Sequence, residues 1–206
     1  MPTGAQQVLY LGDSVTVGRP AFPELASPNY FELVQDHYPG GVNAAVGGSS
    51  SQDWVPGAPF YQSALSVPAD LVVLLIGGND AMGTDFLGEV REPVPGYEFS
   101  CNLHATAYGL LAAGFPAVLL MTPYKAFSAV ENLVPGQQAR LHAYRLRVKD
   151  LCAEDERIVC GPDLWWEMGY EHFRQPLAVH PTAAGHAFIA SLLIPALDTF
   201  FLNQPL

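Results

Sequence analysis

The chain has 206 residues, half of them hydrophobic and 14% charged, with a formal net charge of −11. That apolar content supports one folded core and excludes a disordered chain. The acidic excess repels phosphate backbones and anionic bilayers, so no nucleic-acid partner is expected.

The elements follow in chain order. Met1 to Gln7 has neither a basic start nor an apolar core, so it does not read as a signal peptide; a cytoplasmic location is expected, although a secreted form trimmed of its leader would look the same. Val8 to Leu11 predicts a short buried strand, and Val42 to Val46 a weaker one. Leu71 to Ile76 is an unbroken apolar run, too short for a helix and rich in β-branched residues. Phe99, Leu103, Ala107, Leu110 and Leu111 keep helical spacing until Gly114 and Pro116. Ala117 to Met121 repeats the strand pattern. Leu141, Tyr144, Val148 and Leu151 form a helical stripe, with Arg140, Arg145, Arg147 and Lys149 off it. Glu154 to Glu156 reads as a solvated turn, and Arg157 to Cys160 as the last strand. Thr182 is placed to cap a final helix through Ile189, Leu192 and Leu193. No repeat or linker divides the sequence, so residues 1–206 read as a single domain. Strands alternating with helices predict an α/β fold, a three-layer sandwich with about five parallel strands. No run reaches the roughly 18 apolar residues of a membrane span.

In such sheets ligands bind beyond the carboxyl ends of the strands. Gly12-Asp13-Ser14-Val15 follows the first strand, Gly47-Gly48-Ser49 the second, and Gly77-Gly78-Asn79-Asp80 the third; His180-Pro181 precedes the final helix. A serine hydroxyl needs a base to take its proton, and a neutral imidazole suits that near pH 7. Ser14 and His180 supply that pair. Backbone N–H groups of Ser14 and Gly48 and the amide of Asn79 can serve as oxyanion donors. Each residue also has a plainer reading. Ser14 alone could cap a helix, Asn79 and Asp80 could end a strand and cap the next helix, and Asp13 could support its turn. Packing or a local hydrogen bond is the better reading of His186. Trp165 and Trp166 fit either a cleft or a core, and the segment from Thr84 to Glu98 either a substrate loop or a bland excursion. Cys101, Cys152 and Cys160 are odd in number without a C-x-x-C spacing, and no histidines share a ligand spacing. Neither a disulfide framework nor a metal site is expected.

Taken in that order, the motifs resemble those of the SGNH or GDSL hydrolases: Gly-Asp-Ser-Val, Asn43 to Gly48, Gly77-x-Asn79-Asp80, and His180-Pro181-Thr182-x-x-Gly185-His186. The resemblance spans nearly the whole sequence. It implies a flavodoxin-like sandwich, Ser14 as nucleophile, Gly48 and Asn79 as oxyanion donors, His180 as base, and no metal or organic cofactor. It also implies hydrolysis through an acyl-enzyme of simple esters, thioesters, lysophospholipids or acetylated sugars, and the small size of the chain leans toward a small-molecule, short-chain ester. The sequence departs from the family at Leu177, where an aspartate usually stands three residues before the histidine. Asp163, Glu171 or a backbone carbonyl are the alternatives for orienting His180. Thr16 replaces the second glycine of Gly-x-Ser-x-Gly, which argues against an α/β-hydrolase fold. No Gly-x-Gly-x-x-Gly or phosphate loop supports a nucleotide-binding module. A catalytically weak relative that binds a small acylated or carbohydrate ligand is the remaining alternative, resting on Leu177.

Overall fold

The computed structural model describes residues 6–18, 28–83, 89–125, 134–173 and 180–203. Five strands form one all-parallel sheet: β1 (Val8–Gly12), β2 (Val42–Asn43), β3 (Leu71–Leu75), β4 (Val118–Met121) and β5 (Ile158–Cys160), in the spatial order β2-β1-β3-β4-β5. Tyr10 aligns with Val73, and Val73 in turn with Leu119, so the three central strands are in step. All five residues of both β1 and β3 are buried, as strands covered on two faces require.

The period-two alternation sends neighbouring side chains to opposite layers. Leu9, Leu11, Val72, Leu74, Val118 and Leu120 pack under α3 (Pro59–Ala64), α5 (Gly96–Ala112) and α6 (Gln137–Cys152). Val8, Tyr10, Leu71, Val73 and Leu119 pack under α2 (Tyr30–Gln35) and α8 (Ala183–Leu202). Short helices α1 (Ser14–Val17), α4 (Gly78–Met82) and α7 (Leu164–Glu167) begin just after β1, β3 and β5. The last helix starts where expected: Thr182 Oγ1 accepts the Gly185 N–H at 3.1 Å. Helix α8 has the length and apolarity of a membrane span, but its Ile189, Leu193 and Leu197 are buried against the sheet, as in a core helix.

Two expectations need correction. Strand β2 is only Val42–Asn43, not Val42 to Val46. Beyond Asn43 the segment leaves regular strand geometry but still follows β1, the Ala44 N–H donating to Tyr10 O and the Val46 N–H to Gly12 O at 2.9 Å each. Arg145, placed off the apolar stripe by its charge, is buried, because its guanidinium grips Asp163. The exposed turn after α6 carries the Glu154 to Glu156 run, as read from the sequence.

The chain order makes the sheet switch direction beside β1, since β2 is added on one side and β3 on the other. A crevice opens there at the carboxyl ends. Gly12 makes the turn into it. Its φ is +150°, and a Cβ would lie 2.4 Å from Leu75 O and 2.7 Å from Thr16 Oγ1. Gly12→Ala is expected to lower stability by about 1–3 kcal/mol. A urea titration checks this as a lower midpoint with an unchanged slope.

Candidate active site

Ser14 is the first residue of α1. Asp13, in extended conformation, caps that helix: its carboxylate accepts the Val15 N–H at 2.9 Å, and its carbonyl accepts the N–H groups of Thr16 and Val17 at 3.0 Å each. The far end of α1 is also anchored. Thr16 O accepts from Asn43 Nδ2 at 2.8 Å and from Asn29 Nδ2 at 3.1 Å, and Thr16 Oγ1 meets Tyr30 OH at 2.7 Å. These bonds hold the serine rigidly while leaving its own side chain for other work.

That side chain meets His180. Ser14 Oγ lies 2.8 Å from His180 Nε2, across 166 residues of sequence. The histidine comes from a strap set by its flanks: Pro181 bridges to Phe173, and Thr182 N–H donates to His172 O at 2.8 Å. Both Ser14 and His180 are half-buried, so solvent and substrate can reach the pair.

The second wall is the loop from Gly47 to Ser51. Gly48 takes φ +77°, a left-handed conformation that glycine adopts without penalty. Ser49 Oγ donates to Gly12 O at 3.0 Å and accepts from Trp54 Nε1 at 3.0 Å. Two consecutive residues after β3 then clamp the loop. Asn79 Nδ2 donates to Ser49 O at 2.9 Å, using one of its two N–H groups there. Asp80 accepts the Ser51 N–H at 3.0 Å and the Ser51 hydroxyl at 2.5 Å. The structure therefore gathers Ser14, Gly48, Asn79 and His180 on loops that share this crevice. Asp80 was read as a plain structural residue; its bonds make it the anchor of the loop that carries Gly48. The sequence signal was the adjacency of Asn79 and Asp80, but nothing local pointed to Ser51.

Two carboxyls lie buried behind this crevice. Burial raises Asp13 to about 7, with a further push from Asp80 against the opposing Val15 bond. Burial likewise raises Asp80 to about 6, despite its bonds from Ser51. Burial, aided by the nearby His180, lowers His186 to about 4; it is packed in the interior as expected, and its Nδ1 accepts the Tyr30 N–H at 3.3 Å from 156 residues away. The consequence for Asp13 has a definite sign. An unfolded chain ionises this group near its ordinary 3.8, whereas the folded chain keeps the proton to about 7. Stability therefore falls as pH rises through that window. Asp13→Asn, which keeps an oxygen for Val15, is expected to flatten this decline and raise the melting temperature most at pH 7 and above. Thermal melts from pH 4 to 8 check it; an equal shift at every pH would contradict it.

The structure brings neither proposed acid to His180. Asp163 accepts two bonds from Arg145 Nε, at 2.9 and 3.1 Å, one from Arg145 Nη2 at 2.6 Å and one from Lys149 at 2.9 Å. Burial alone would raise its carboxyl, but the bonds from Arg145, Lys149 and Thr122 hold it well below the carboxylate range. Glu171 is exposed, 3.6 Å from His172 Nδ1. Leu177 lies outside the described residues, as does part of the segment from Thr84 to Glu98. Trp165 is core, whereas Trp166 is exposed with Lys125 Nζ 4.5 Å above its ring. Among the described residues no group of three or more His, Cys, Asp or Glu could hold a metal ion.

The parallel sheet brings these four loops to its switch point, and a family match makes the chain an ester hydrolase of the SGNH type. The chain belongs to the GDSL-like lipase/acylhydrolase family, whose model matches residues 10–188. No curated protein matches its sequence. Among solved structures it is similar to a lipase/acylhydrolase from Enterococcus faecalis, at 21% identity and a TM-score of 0.70, covering 95% of this chain and 97% of that one. An acetyl xylan esterase from Geobacillus stearothermophilus matches at 22% identity and a TM-score of 0.70, over 93% and 94% of the two chains. An alpha/beta hydrolase enzyme from the metagenome of Lake Arreo, Spain, matches at 19% identity and a TM-score of 0.72, over 98% of each. At these identities the likeness is one of fold.

Proposed function

We propose that the protein is a serine esterase that cleaves small or short-chain carboxylic esters through an acyl-enzyme. The observation that carries this reading is the 2.8 Å contact between Ser14 Oγ and His180 Nε2. In this reading His180 takes the serine proton as Oγ attacks the acyl carbon. The oxygen of the tetrahedral intermediate is held by the N–H groups of Ser14 and Gly48 and by the side-chain amide of Asn79. Collapse expels the alcohol, which leaves with the proton from His180. Water, deprotonated by the same imidazole, then releases the acid and restores the serine.

The described contacts of Asp163 and Glu171 favour a Ser14–His180 dyad without either of them. The short-chain preference draws support from two things: the small size of the fold, which leaves little room for a large lid, and the acetyl xylan esterase among its structural neighbours. A panel of p-nitrophenyl esters from acetyl to octanoyl tests the proposal. Turnover is expected to be fastest at the short end. A folded chain inactive on every ester would instead favour the ligand-binding alternative.

A further inference from the structure

Away from the site, α6 and β5 run antiparallel, and two pairs of residues face each other across the contact. Lys149 and Cys152 lie one turn apart on the last part of the helix. Cys160 ends β5, and Asp163 follows three residues later. The outer pair is closed by the Lys149 Nζ bond to Asp163 at 2.9 Å. The inner pair is Cys152 with Cys160. Ile158 is buried with Val148 and Leu151 of α6, and the period of two puts Cys160 on that same side of the strand. Cys152 packs at the edge of the same cluster, on the side of α6 that faces Cys160. Cys160 is exposed and Cys152 half-buried, both with free thiols.

We propose that Cys152 and Cys160 form a redox-sensitive dithiol that a peroxide-class oxidant closes to a disulfide joining α6 to β5. The Cys152 thiol, helped by the Lys149 ammonium, holds Cys160 below the ordinary thiol range, so the Cys160 thiolate is the attacking group. Its sulfur attacks one peroxide oxygen; the S–O bond forms, the O–O bond breaks, and the departing hydroxide takes a proton to become water. The Cys152 sulfur then attacks the sulfenic sulfur. The S–S bond forms, the S–O bond breaks, and the hydroxide leaves as water with the Cys152 proton. Two thiols lose two electrons in total, and one peroxide becomes two waters.

The Lys149–Asp163 bond holds the end of α6 against the segment that follows β5. The pair was not legible from spacing, because seven residues separate the two cysteines and only the turn from α6 into β5 brings them together. Neither sulfur belongs to the crevice with Ser14 and His180.

Graded hydrogen peroxide on the full chain, carrying Cys101→Ser to remove the other thiol, tests the proposal. A non-reducing peptide map is expected to show Cys152 linked to Cys160, with dithiothreitol restoring both thiols to alkylation. In the chain with all three cysteines, Cys160 is expected to react roughly ten-fold or more faster than Cys101. In Cys152→Ser the reaction stops at a sulfenic acid on Cys160 that dimedone traps, while ester turnover before oxidation stays that of the parent. Cys160→Ser, at an exposed position, leaves Cys152 alkylatable after the same treatment. The proposal is overturned if both cysteines stay alkylatable while Cys101 oxidises, or if the bond found is between chains.

Discussion

Ser14→Ala is expected to lower ester turnover by about 10^4- to 10^6-fold, with the fold intact. The fold should survive because the cap of α1 is Asp13, whose bonds to Val15, Thr16 and Val17 do not involve the serine hydroxyl. His180→Ala should cost a similar factor, and the double variant little more than either alone. A nucleophile and its base act as one unit, so their losses do not add. Initial rates on p-nitrophenyl acetate, beside circular dichroism of each variant, give the readout. A folded Ser14→Ala protein within ten-fold of the parent would remove serine from the mechanism. The test is sharp because the hydroxyl does no visible structural work: its one described partner is the imidazole.

Asn79→Ala carries the second large effect. Losing an oxyanion donor costs about 3–4 kcal/mol of barrier, or about 10^2- to 10^3-fold in kcat. Asn79 also bonds Ser49 O, so its loss removes a buried hydrogen bond worth about 1 kcal/mol of stability. The two effects separate by assay. If the residue serves the transition state, kcat falls while KM moves little. If it only braces the loop, the loss should follow stability and shrink on cooling. Asn79→Asp provides a further control: it keeps the shape but trades donors for acceptors and adds charge where the oxyanion would form. It is expected to be at least as damaging as the alanine variant. Steady-state kinetics at two temperatures with urea midpoints decides between the roles.

Much of this architecture was legible before any coordinates. The run from Leu71 to Ile76 could only be a buried strand, because six apolar residues with no period cannot face water on any side. Glycines and polar residues placed after three such runs pointed to a crevice at their carboxyl ends. The final helix announced itself through Thr182. The readings that failed share one physical cause: they turned on partners distant in sequence. Arg145 looks exposed by every local rule and is buried only because Asp163, eighteen residues later, neutralises it. Strand β2 reads longer than it is: past Asn43 the segment follows β1 only through the Ala44 and Val46 N–H groups. Asp163 and Glu171 were offered as acids from proximity in sequence, which says nothing of where a carboxylate points.

The strap that delivers His180 also sets when this protein can be dangerous to its surroundings. A chain folded only through α4 would already own Ser14, its cap and the clamped loop, yet would lack His180. His180, the proposed base, arrives from beyond α4, α5, β4, α6, β5 and α7, fixed by Phe173 and His172 on one side and by the first turn of α8 on the other. Under the proposed Ser14–His180 mechanism, hydrolytic competence is an all-or-none property of the assembled sheet. In a refolding experiment the return of turnover should lag the return of helical signal and keep pace with the docking of α8, making the active site its own reporter of the last step.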